Sequence, residues 1–316
     1  MIASMILKRF LGGVLMIFVI SILIFVLTQI LPGDAAEIRL GQNATPDSLQ
    51  ALREELGLDR PLLSQYVAWL GNLLTGDLGV SNAGGATITQ LIGDRLGNTL
   101  FLATIVTLIA VPLSLVLGFV AAIYAGQATD RVITFTTLCL ISVPDFFVAV
   151  ILILLLAVWL GLVPAVSFLS GSEGFWETLH VLALPIGTLV ALISAQMIRM
   201  TRAGILNVMN SPYIEMAILK GIPRRRIVMR HAFLNAVGPV ANIIALNLSY
   251  LIGGIVIVET IFAYPGLAKL MVDGVRTRDI PLVQACAMIF CTSYVLLILA
   301  ADIIAILNNP RLRFPK

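Results

Sequence analysis

Six stretches of this chain are each apolar for about 20 residues or more, the length a helix needs to cross a hydrocarbon core about 30 Å thick. They run from Phe10 to Leu31, Thr99 to Tyr124, Val132 to Leu162, Val181 to Ile198, Val237 to Ile261 and Leu282 to Leu307. Of the 316 residues, 59% are hydrophobic and only 12% are charged, too few charges to cover a water-soluble globule of this size. Peptide groups inside lipid find no water, so a spanning segment is either a helix or a strand of a closed barrel. The alternation of a membrane strand is absent from all six runs. The expected fold is therefore all-α, a polytopic membrane protein with six transmembrane helices.

Basic residues set the expected orientation. They gather at Lys8 and Arg9, at Arg131, in a hairpin at 211–235, and at Arg311, Arg313 and Lys316, which places both termini in the cytoplasm. Between the first and second runs Arg39, Arg53, Arg60 and Arg95 are outnumbered by Asp34, Glu37, Asp47, Glu54, Glu55, Asp59, Asp77 and Asp94, so that segment is expected outside. Trp159 and Trp176 stand where an outer aromatic belt falls. One loop departs from the rule: Lys269, Arg276 and Arg278 lie outside by the count of crossings, partly offset by Asp273 and Asp279. The first run follows Lys8 and Arg9 as a secretion signal would, yet it is longer than a signal core and no small-x-small site follows it, so it is expected to stay as a span.

The chain thus divides into 1–31 with the first span, an extracytoplasmic segment 32–98, and a core of five spans over 99–316. The outer segment carries helix punctuation. Thr45 and Pro46 start a helix through Leu56 that stops at Gly57, and a second starts near Pro61 with Leu62, Leu63, Tyr66, Val67, Leu70, Leu73 and Leu74 at helical spacing. That apolar face is expected to lie on the bundle or the membrane interface, or to receive a soluble partner.

The hairpin reads SPYIEMAILKGIPRRRIVMRHAFLN, with Ser211 as a cap, Pro212 at the first helical position and Gly221 at the terminus. Pro223 opens a second helix that leads into the fifth span. Tyr213, Ile214, Met216, Ala217, Ile218 and Leu219 are too apolar for a solvated turn and need a surface to cover them. Arg224, Arg225 and Arg226 oppose the helix dipole at a helix start, and read either as a docking element or as an orientation signal beside anionic lipid.

Ionisable groups at membrane depth mark pathways, pairs or caps. Asp145, after Pro144, reads as the cap of a new helix within the long third run or as a site for a passing cationic group. Glu259 lies near the outer end of the fifth run and is a gate candidate, and Asp302 is expected to pair with a basic group. Small residues at Gly118, Ala121, Ala122, Ala125, Gly126, Gly253 and Gly254 permit close helix contact, within the chain or with a second membrane subunit. Cys139, Cys286 and Cys291 fall in or near apolar runs, so no disulfide framework is expected. His180 and His231 fall on opposite sides and cannot share a metal. No H-E-x-x-H, P-loop or G-x-S-x-G pattern occurs, so no catalytic or metal residues are assigned and the chain is not expected to be an enzyme.

Several ordered blocks resemble the permease subunits of binding-protein-dependent ABC importers, in the peptide/nickel branch and its dipeptide permease B-type. The blocks are Leu31-Pro32-Gly33-Asp34, Leu56 to Leu62, Gln65-Tyr66, Gly76 to Ser81, Gly253-Gly254, Val258 to Phe262, Pro265-Gly266-Leu267 and Arg278 to Pro281. The hairpin resembles that family's EAA loop, at Tyr213, Ala217, Lys220, Gly221, His231, Asn235, Ala236 and Pro239. It departs from the pattern at Ile218, Leu219 and Leu234.

The resemblance implies a type I ABC importer permease fold in a bacterial inner membrane, with ATPase-coupling residues Tyr213, Glu215, Ala217, Lys220, Gly221, His231 and Asn235. It implies half of a pathway for di- or oligopeptides, shared with a homologous second permease, two cytoplasmic ABC ATPases and an extracytoplasmic solute-binding protein. ATP and magnesium belong to the ATPases, no cofactor is expected in this chain, and the surroundings are lipid rather than nucleic acid. The alternatives are nickel, glutathione or another small solute, or a gradient-driven secondary transporter using Asp145, Glu259 and Asp302.

Overall fold

The computed structural model describes residues 2–30, 36, 40, 45–168, 174–209, 211–223, 226–227 and 233–307. At 2, 55–56, 213, 233–242, 305 and 307 it describes the backbone alone. The helices are α1 (Ile2–Gln29), α2 (Pro46–Leu56), α3 (Leu62–Thr75), α4 (Ile88–Ile123), α5 (Ala128–Ser142), α6 (Asp145–Leu152), α7 (Phe175–Val181), α8 (Ala183–Met209), α9 (Pro212–Leu219), α10 (Phe233–Ile261), α11 (Leu267–Arg276) and α12 (Ile280–Leu307). Among the described residues the only β-pairing is an isolated bridge between Val80 and Thr87.

Among the described residues five helices, α1, α4, α8, α10 and α12, are long and apolar enough to cross a membrane. The sixth expected span is α5 and α6 together, bent by 106° where they meet. Val143 is extended (φ −102°, ψ 136°), the conformation a following proline imposes, and Pro144 leads straight into α6. The helix then widens to a π-helical stretch over Ile153–Trp159. The long third run is therefore broken at Pro144, as its length and that proline suggest.

The chain forms two compact units. In the unit built from 12–100 and 265–295, Thr45 and Ser48 exchange hydrogen bonds as a capping box ahead of α2, with Pro46 in its first turn and Gly57 at its end. α3 packs on α1: Ser21 and Tyr66 share a hydroxyl hydrogen bond of 2.8 Å, and the Phe25 ring lies 5.4 Å from Tyr66 and 5.8 Å from Trp69. The apolar face expected of α3 is thus divided. Its aromatic part lies on the first span, while Leu62, Leu63, Val67 and Leu74 point outward.

The core of this unit gathers Ile88 and Ile92 with Leu267, Leu282, Ala285 and Cys286. A polar latch closes beside it. The buried Asp279 carboxylate accepts from the Ser81 hydroxyl and from the Asn82 amide (3.1 Å). Nearby, Asn98 donates to the Pro265 carbonyl (2.8 Å), and the Leu267 amide donates to Thr99 Oγ1 (2.8 Å). The Gly76 to Ser81 and Arg278 to Pro281 blocks, far apart in sequence, are thereby brought together. Lys269, which ran against the charge rule, is neutralised by Asp273 at 3.0 Å.

Hydrogen bonds to a buried carboxylate contribute about 1.5–3 kcal/mol each. Asp279→Ala is expected to lower the unfolding midpoint in detergent by several degrees, with a smaller loss in Asp279→Asn, which keeps one acceptor. Equal midpoints in all three proteins would count against the latch.

Candidate functional site

The hairpin leaves α8 through a tight joint. Ser211 occupies the cap position with extended backbone (φ −82°, ψ 146°), but its hydroxyl donates back to the Val208 carbonyl (2.6 Å) instead of capping α9. Its side chain thus ties α9 to the last turn of α8. Pro212 follows in the first turn, and the helix ends at Leu219 with Lys220 as its cap. Gly221 stands at φ +73°, where a side chain would be strained, and its amide closes on the Ile218 carbonyl (2.9 Å).

Ile214, Ala217 and Ile227 form a small buried cluster, packed by Met209 and Ile222. Of the candidate coupling residues, Ala217 therefore faces inward and seats the helix. Glu215, Lys220 and Gly221 are exposed, beside Met216 (55% exposed), Ile218 (54%) and Leu219 (76%). Tyr213 lies on α9 and Asn235 on α10, each described in its backbone alone. His231, Arg224 and Arg225 lie outside the described residues. What the structure brings together is thus one short helix with an anchored face and an unanchored apolar one.

α8, which carries the hairpin, is the most enclosed of the long helices, with 56% of its apolar window buried against 11% for α1. Near its end Ile205 packs with Ala122 on α4, joined by Phe119, Leu206, Met209 and Ile244. Gly118 meets the same helix so closely that an added Cβ would lie 2.8 Å from Thr201 Cβ and 3.2 Å from the Ile198 carbonyl. The small residues expected to permit close helix contact do so here within the chain.

One turn away stands an ion pair. Arg202 Nε donates to Asp130 Oδ1 (2.6 Å) and its Nη2 to Oδ2 (2.8 Å), while Oδ2 also accepts from the Gly126 amide (2.8 Å). Asp130 is buried, and among the described residues it accepts from four donors, two on α8, one at Thr134 on α5 and one in the α4–α5 turn. Gly126 bends that turn at φ +82°. Sequence reasoning passed over both residues. Their signal was position: Asp130 stands just before the run that begins at Val132, and Arg202 just after the one that ends at Ile198.

The intramembrane acids are held differently from one another. Asp302 pairs with Arg9 at 2.8 Å, as expected. Asp145 is exposed at the first position of α6, at the bend of the broken span. Glu259, the gate candidate, is fully buried on α10. Tyr264, beyond the end of that span, is buried too, and burial together with the nearby Glu259 charge pushes its phenol above the ordinary range. Cys139 is exposed on α5, while Cys286 is buried and Cys291 intermediate.

These features define a multi-pass α-helical membrane protein in which α9, a short helix outside the candidate spans, has one apolar face anchored and the other exposed. Residues 114–314 match the binding-protein-dependent transport system inner membrane component family, and residues 1–103 match the N-terminal membrane component of such systems; the chain belongs to this family. It is 34% identical over 314 residues to a putative peptide transport system permease protein of Brucella melitensis, covering 99% of this chain and 100% of the relative. A similarly named protein of Brucella abortus is 34% identical over 311 residues (98% and 99%). The glutathione transport system permease protein of Escherichia coli is 33% identical over 309 residues (98% and 98%). The chain is accordingly an ABC importer permease of the peptide/nickel type, with the type I permease fold, in the inner membrane. Transport of this kind involves a solute-binding protein and an ATPase.

The approach of α4 to α8 holds the root of the hairpin. Overpacking such a contact costs about 1–3 kcal/mol. Gly118→Leu is expected to lower the unfolding midpoint in detergent, while Gly253→Leu, where a Cβ meets nothing within 4 Å, changes it little. Equal losses would show that the close approach is not what the glycine serves.

Proposed function

We propose that this chain forms half of the translocation pathway for di- or oligopeptides handed over by an extracytoplasmic solute-binding protein, with α9 docked on a cytoplasmic ABC ATPase. A homologous permease supplies the other half, two ATPases bind ATP and magnesium, and both termini of this chain are cytoplasmic. The observation that carries the reading is the divided face of α9. Ile214 and Ala217 anchor it, while Met216, Ile218 and Leu219 stay exposed outside the spans. An unanchored apolar helix face in water calls for a partner groove. The match at 34% identity to permeases named for peptide transport supports the substrate class.

Glutathione is the second reading, favoured by a relative named for it at 33% identity. It is itself a small peptide bearing an ammonium group and carboxylates, so the two readings share their chemistry. Uptake by the assembled transporter in proteoliposomes separates them, with labelled dialanine and labelled glutathione as probes. Dialanine is expected to accumulate only with ATP inside the ATPase compartment. Accumulation driven by an ion gradient, without ATPases, would overturn the importer reading for a secondary transporter.

Interface anchors contribute about 2 kcal/mol or more when fully covered. Leu219→Asp, at a residue exposed in the chain itself, is expected to leave membrane insertion normal and to cut uptake on the order of tenfold by weakening ATPase association. Normal association in a pull-down from membranes would remove the exposed face of α9 from the interface.

Asp145 is exposed at the break of a span, where a carboxylate facing lipid would be costly. It lies on the path in this reading and meets the cationic end of a passing peptide. Asp145→Ala is expected to raise the concentration of dialanine needed for half-maximal uptake, with little change for a peptide whose amino terminus is acetylated. An equal effect on both peptides would remove Asp145 from the path; the cap reading is already set aside by the structure, where Pro144 holds the cap position and, among the described residues, Asp145 makes no capping hydrogen bond.

A further inference from the structure

We infer that Arg202 and Asp130 are positioning residues that join the α9 hairpin to the broken span, so that a push on α9 reaches the bend at Pro144 through α5. The inference rests on the docking of α9 proposed above, and it adds the route by which force leaves the hairpin inside the permease.

Three stretches of structure meet at the pair. On the first side, Arg202 lies about two turns before the end of α8, some 10 Å along the axis. Those turns are held laterally by the Ile205 and Ala122 cluster, and the Ser211 hydroxyl fastens α9 to Val208. A displacement of α9 therefore moves Arg202 with it rather than being absorbed at the joint. On the second side, Asp130 stands in the first turn of α5, whose other end is the extended Val143 ahead of Pro144. α5 is fifteen residues of unbroken helix, about 22 Å, and so carries a tilt from one end to the other. On the third side, the Gly126 amide ties the α4–α5 turn to the same carboxylate at 2.8 Å.

The form of the contact matters as much as its place. A carboxylate held by both Nε and Nη2 of a guanidinium is fixed in angle as well as distance, which a single hydrogen bond or a lysine ammonium does not achieve. Asp130 has 5% of its side chain exposed and Arg202 29%, so water competes little at the carboxylate. A pair serving only to orient the chain in the membrane would need neither the fork nor the burial. The fork instead suits a joint that keeps α8 and α5 at one angle while both move.

The test uses the full transporter in proteoliposomes, with dialanine as the probe, or glutathione if that is the solute the unaltered protein imports. ATP hydrolysed per solute imported is read for Asp130→Asn, Arg202→Lys and the exchanged pair Asp130→Arg with Arg202→Asp. The two single variants are expected to hydrolyse ATP normally while importing about tenfold less, a loss that coupling residues commonly give. The exchanged pair is expected to recover part of it. An unchanged ratio in both single variants overturns the inference, as does a failure of both to accumulate in the membrane, which would make the pair a folding requirement.

Leu219→Cys, tested for cross-linking to the ATPase in the unaltered and Arg202→Lys backgrounds, separates this inference from the one beneath it. No cross-link in either background removes the docking of α9, and the inference with it. A cross-link in both, with import falling in Arg202→Lys, is the expected result. A cross-link in both with import unchanged overturns the joint alone.

Discussion

Inside hydrocarbon a peptide group has no water to bond, and nearly every feature of this chain follows from how its backbone meets that constraint. Continuous helices satisfy it in α1, α4, α8, α10 and α12. The broken span satisfies it less directly. Pro144 brings no N–H that would need an acceptor, and the amides of Phe147 and Val148 bond back to the Pro144 carbonyl at 2.9 and 3.4 Å. Farther on, the Leu160 amide reaches Leu155 at 3.1 Å, a bond from the end of the π-helical stretch. A bend of 106° is thus made with these amides still partnered.

The same low dielectric decides where charges stand. Asp130 with Arg202, Asp302 with Arg9 and Asp273 with Lys269 are each paired, and Asp279 is held by Ser81 and Asn82. Apart from Lys269 and Asp273, which share the short α11, these groups lie near the ends of the spanning helices or in the turns between them, where one partner can keep some contact with water. The pairs differ in weight. Arg9 is well exposed in its pair, which makes that contact a weak one. Asp130 is enclosed, and removing its partner would leave a buried charge uncompensated, which typically costs about 3–5 kcal/mol. Enclosure is what turns an ion pair from an incidental contact into a fixed point.

Much of this was legible in the sequence, for identifiable reasons. Hydropathy over about 20 residues is a local property, so the six runs appear without knowledge of the fold. Caps are local as well: Thr45 and Pro46 at the start of α2 and Gly221 after α9 can be read from neighbours. Pro144 announced its bend because the proline acts on its own backbone. What escaped was long-range. Asp130 and Arg202 are 72 positions apart and Ser81 and Asp279 are 198 apart, and no spacing rule connects them. The inward turn of Ala217 and the burial of Glu259 escaped for the same reason, since both depend on which side of a helix its neighbours occupy.

The contrast between α8 and α1 bears on how such a chain can move. α1 has most of its surface turned away from the rest of the chain, and its contacts with α3 gather on one strip at Ser21 and Phe25, so few packed neighbours hold it in place. α8 is enclosed along most of its length, and Thr201 presses on α4 where only a glycine fits. Close-packed interiors compress little, so α8 cannot move alone. Its displacement must carry the neighbouring turns of α4, α5 and α10 with it or open a void between them. A hairpin set at the end of the most enclosed helix is therefore placed where a small push moves the most structure.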